Sequence, residues 1–98
     1  MGFKDARASV VAALRSGQYQ HEEREDGDEK NLLDAREVTP DFVATLLLRC
    51  SGDQYQARQH HADPGLLCHI FRPQLWGERW YIKVYFQSSV AVFISVHR

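Results

Sequence analysis

The sequence predicts an α+β fold in two layers, with two or three helices packed on one face of an antiparallel sheet. Three observations predict it. Apolar residues recur at helical spacing up to about Cys50 and at a period of two beyond Asp53. The later apolar runs are divided by turn-forming residues. No internal repeat or low-complexity linker interrupts the chain, so residues 1–98 read as a single α+β domain.

The first helix is expected over about Lys4 to Ser16. Phe3, Val10, Val11 and Leu14 form its apolar stripe, Asp5 and Arg15 suit the two ends of its dipole, and Gly17 can stop it in a left-handed conformation. The run EEREDGDE, Glu22 to Glu29, has six acids against one arginine and reads as a solvated acidic loop that does not support the core. NLLDARE adds one or two helical turns. TPDFVATLLLRC then starts a second helix: Thr39 caps, Pro40 suits the first helical position, and Phe42, Val43, Leu46 and Leu47 make one stripe ending near Arg49. Beyond it, QYQARQHH, LLCHIFR, WYIKVYF and AVFISV are strand-like, and ADPG, PQLWGE and SS are turns.

Composition bounds the function. The formal net charge is −1, but from Phe42 onward Arg49, Arg58, Arg72, Arg79, Lys83 and Arg98 outnumber Asp53, Asp63 and Glu78. A mildly basic body carrying an acidic loop suits a nucleic-acid ligand only weakly. No apolar run is long enough for a membrane span and the first residues do not resemble a signal peptide, so a cytoplasmic protein is expected. Cys50 and Cys68 lack CxxC spacing and read as reduced thiols.

The last hairpin carries the candidate chemistry. A three-residue connection, Ser88 to Val90, places the aliphatic Ile82, Val84, Ile94 and Val96 on one face and sets Tyr81 beside His97 and Lys83 beside Ser95 on the other. Cleaving RNA without a metal needs a base for the 2′-hydroxyl proton, an acid for the departing 5′-oxygen and a cation for the phosphate. His97 can be base or acid, Tyr81 its partner or the second acid, and Lys83 or Arg72 the phosphate clamp. Gln56, Arg58 and His69, on neighbouring strand-like runs, are candidate substrate contacts. Tyrosine, lysine and serine are also what the wet face of any antiparallel sheet carries.

A second cluster, His60, His61, Asp63, Cys68 and His69, has metal-ligand chemistry. Neighbouring strand residues point to opposite faces and the spacing matches no zinc signature, so neither a metal nor a cofactor is expected. Trp80 belongs to the core-facing set. Trp76, in a turn, either covers it or offers an exposed ring on which a base could stack.

The stretches SVVAALRSGQY, TPDFVATLLLRCSGDQY and FRPQLWGERWYIKVYF resemble the MqsR family of toxin–antitoxin ribonucleases, small RelE-like α+β proteins with this order of elements. Its most specific part is the pattern Asp53, Tyr55, Asp63, Arg72-Pro73, Gly77, Tyr81 and Lys83. The resemblance implies a metal-independent endoribonuclease toxin that cleaves messenger RNA and is neutralised by a cognate antitoxin protein. The family's catalytic tyrosine falls at Tyr81. A family lysine falls at Gln56, a glutamine at Cys68 and, allowing one extra residue in the hairpin, another lysine at His97. The competing expectation is a non-catalytic interaction or inhibitor protein whose acidic loop docks on a basic partner.

Overall fold

In the computed structural model, which describes residues 1–23 and 30–98, helix α1 spans Phe3–Ser16 and ends at Gly17 in the left-handed conformation (φ 77°). Helix α2 spans Pro40–Leu48, with the Thr39 side chain accepting the Phe42 N–H at 3.1 Å. Ala6, Val10 and Leu14 of the first helix and Val43, Leu46 and Leu47 of the second are buried in one cluster with Phe71, Ile82, Val84, Phe93 and Val96 of the sheet. Two helices therefore cover one face of the sheet, as the pattern predicts. Among the described residues no helix is long and apolar enough to cross a membrane.

The strands are β1 (Tyr19–His21), β2 (Tyr55–Gln59), β3 (Leu67–Phe71), β4 (Gln74–Leu75), β5 (Glu78–Arg79), β6 (Tyr81–Gln87) and β7 (Val90–His97). Five of them form one sheet in the order β1-β7-β6-β3-β2, and β4 with β5 forms a separate small hairpin inside the expected PQLWGE turn. The sheet is mixed rather than antiparallel, because β1 pairs parallel with β7. Beyond β1 the Glu22 N–H still donates to the Phe93 carbonyl, and after the acidic run the chain rejoins the same strand through Val96 N–H to Lys30 and Leu32 N–H to Val96. Residues 31–37, expected as one or two helical turns, begin with this isolated bridge and continue as tight turns, among them one helical i to i−4 bond from the Ala35 N–H to the Asn31 carbonyl at 3.1 Å.

The β6–β7 hairpin corrects one expectation. Its connection is the two-residue turn Ser88-Ser89, with φ of 51° and 68°, and the extra residue is a bulge at Ile94 between the Lys83–Ser95 and Val84–Phe93 pairs. A bulge lets two successive side chains meet one partner residue. Ile94 thus leaves the face of Ile82, Val84 and Val96 and joins Cys68, Tyr85 and Val92 on the other side. At the open end the predicted register is observed: Tyr81 opposite His97, Ile82 opposite Val96, Lys83 opposite Ser95.

Candidate functional site: the outer face of the sheet

Directly paired residues share a face, so the register lays out the side away from the helices in rows. One row runs Gln56, Ile70, Lys83, Ser95 across four strands; the next runs Arg58, Cys68, Tyr85, Val92. Tyr81 and His97 form a third row at the open end. Arg72, the residue after β3, brings its guanidinium carbon 5.3 Å from the Tyr81 ring centre. Tyr81, His97, Lys83, Arg72, Gln56 and Arg58 are therefore all on one face.

The imidazole of His97 stacks on the Tyr81 phenol, ring centres 5.1 Å apart and planes inclined by 22°. Its Nδ1 lies 2.9 Å from the main-chain oxygen of Arg98. An oxygen of that kind only accepts, so Nδ1 carries the hydrogen and Nε2 of the neutral ring is left as a proton acceptor. Arg98 is itself held, by a 2.9 Å ion pair to Glu78 and by its position 4.8 Å over Trp80.

His69 does not join this set. It pairs with Ala57 and Val84 on the helix side and is buried, its Nδ1 2.7 Å from the Tyr55 hydroxyl and its ring edge-on to Phe86. Burial first, and the N-terminal ammonium second, hold its pKa below the usual histidine range. As a substrate contact it is corrected: the strand's alternation points it into the core. Cys68 is on the outer face but fully buried.

The histidine-rich segment also resolves into separate roles. Among the described residues no three His, Cys, Asp or Glu side chains converge as metal ligands would. His60 is 6% exposed, with Nδ1 accepting the N–H groups of Ala62 and Asp63, so Nε2 carries the hydrogen and donates to Glu22 at 2.8 Å. The Tyr85 hydroxyl donates to the same Glu22 oxygen at 3.3 Å. Glu22, expected in a solvated loop, thus binds two buried groups and closes the apolar half of the outer face; residues 24–29 of the acidic run lie outside the described residues. Sequence reasoning missed this trio because its members are far apart in the chain. The one available signal is that Tyr85 alternates in phase with Tyr81, which puts a second phenol on the outer face.

The result is a sheet face in two halves. One is apolar and covered by Glu22, His60 and Leu66; the other presents a phenol, an imidazole and basic side chains to solvent. No protein-family model and no curated protein matches the chain.

Proposed function

We propose that the chain is the toxin of a toxin–antitoxin pair of MqsR or RelE-like type, cleaving messenger RNA in the cytoplasm without a metal, with a cognate antitoxin as its protein partner. The observation that carries this reading is the stacked Tyr81–His97 pair with the Arg72 guanidinium beside the same phenol. Base, acid and cation, the three groups the reaction requires, stand together on an open surface.

In this reading His97 Nε2 takes the 2′-hydroxyl proton and the 2′-oxygen attacks phosphorus. The bond from phosphorus to the 5′-oxygen breaks, and the departing oxygen takes a proton from the Tyr81 hydroxyl. The products are a 2′,3′-cyclic phosphate and a 5′-hydroxyl end. Arg72 and Lys83 offset the charge that builds on the phosphate oxygens, and Gln56 and Arg58 contact the strand alongside. The aromatic stacking fixes the imidazole's plane, and the Arg98 oxygen fixes its tautomer.

The test is incubation of the purified chain with single-stranded RNA and with translating ribosomes, in the presence of a chelator. Fragments ending in cyclic phosphate are expected. Intact RNA under both conditions overturns the ribonuclease and favours the non-catalytic interaction protein.

A further inference from the structure

The most exposed large apolar side chain among the described residues is Trp76, 81% accessible, at the tip of the β4–β5 hairpin. Its backbone is as unusual as its exposure. Trp76 and Gly77 form the two-residue turn with φ of 52° and 79°. Such turns favour Asn-Gly, and a bulky residue at positive φ is a rare, strained choice. An indole held there gains no core packing in return, since Trp80 and Leu75 fill the interior beneath the hairpin. A residue that is costly to the turn and idle in the core points to use at the surface.

The hairpin's position says what that use is. It grows directly out of the candidate site: Arg72 and Pro73 lead into β4, Tyr81 follows β5 by one residue, and the Trp80 N–H to Pro73 carbonyl bond closes its base at 2.9 Å. Arg98 is paired with Glu78, and Arg79 on the hairpin with Arg72 at its root leaves this end of the molecule with an excess of positive charge. An exposed flat ring on the same hairpin as Arg79, next along the chain to the site of Arg72, is an arrangement that can receive an unpaired nucleobase, the ring stacking on the base and the cations following the phosphates.

We propose that Trp76 is a stacking platform for a base of single-stranded RNA, flanking the phosphate cleaved at Tyr81 and His97. The proposal rests on the ribonuclease reading and adds to it a subsite that selects unpaired strands, since a base in a duplex has no face to offer.

The chain's two tryptophans make the test direct. Trp76 is open to solvent and Trp80 is 3% exposed. A single-stranded 2′-O-methyl oligonucleotide, which cannot be cleaved, is titrated while indole emission is recorded. Quenching of the red-shifted, exposed component is expected, and Trp76→Phe should remove that component while leaving the Trp80 emission. Trp76→Asn, which suits the turn, should melt at the same or a higher temperature yet bind the oligonucleotide roughly 5- to 150-fold more weakly at constant salt. A duplex of the same sequence should quench little.

RNA cleavage by the wild type, measured separately, distinguishes the two claims. Cleavage with unaltered binding by Trp76→Asn overturns the platform and leaves the nuclease standing. Quenching without cleavage overturns the nuclease, and with it the place of Trp76 beside a cleaved phosphate, and leaves only a single-strand binding surface. A Trp76 that no oligonucleotide quenches, but that a protein partner shields, overturns the platform in favour of a protein-docking role.

Discussion

Tyr81 and His97 lie face to face across the open end of the β6–β7 hairpin, 5.1 Å between ring centres, as directly opposed residues of antiparallel strands. Neither is in the core, so each can be altered without opening a cavity. Tyr81→Phe and His97→Ala should each lower RNA cleavage by ~10²–10⁴-fold, the usual cost of losing a general acid or base. Melting temperatures within a few degrees of wild type would assign that loss to chemistry; full activity in either variant would remove the residue from the mechanism.

His69 should behave in the opposite way. Its folded pKa is depressed by burial, so the unfolded chain binds more protons as pH falls below the ordinary histidine value of 6.5. Stability contributed by the neutral ring is present above that value and is lost on acidification through the lowered folded pKa. His21, also depressed by burial, acts in the same direction. Melting temperature should therefore drop between about pH 7 and pH 5. His69→Gln should flatten that dependence, at some cost in stability and with little change in cleavage at neutral pH; an unchanged slope would count against it.

Glu22 is the acceptor shared by His60 and Tyr85. Glu22→Ala leaves both donors facing an apolar cluster, a change that typically costs about 1–3 kcal/mol. In urea titration this should appear as a lower midpoint, whereas neutral replacements at Glu23 alone should leave it in place. Equal effects at the two positions would mean that Glu22 is as dispensable as its exposed neighbour.

Ser88-Ser89 occupies a turn whose two positive φ values suit Asn-Gly. Substituting Asn and Gly there should raise the melting temperature, since the left-handed strain of two serines is removed. A fall would show that the two serines carry no such strain in this turn.

These residues also mark where sequence reasoning succeeds. Helix ends are legible because Gly17, Thr39 and Pro40 act on their immediate neighbours. The Tyr81–His97 register is legible because Ile82 and Val96 must both face the helices. Ile94 is not legible because an aliphatic residue suits either side of a sheet whose outer face has its own apolar patch, and only the bulge decides. His69 escapes the sequence pattern because a histidine reads as polar until a partner is found for it, here the half-buried Tyr55 phenol. The strand β1 leaves no readable trace: the three residues YQH are too few for their alternation to stand out, and their partner is distant in the chain.

That distance orders events during folding. The β6–β7 hairpin and its stacked rings are joined by a two-residue turn and can close early, whereas Tyr19 must find Ala91 across most of the length of the chain. Until it does, one edge of β7 is an open ladder of backbone donors and acceptors, a template for unwanted strand pairing. Seating the N-terminal strand on it is a step of high contact order, expected to be slow beside hairpin closure. A refolding chain therefore holds its paired rings before that edge of β7 is covered, and the danger it presents to itself in that interval is aggregation.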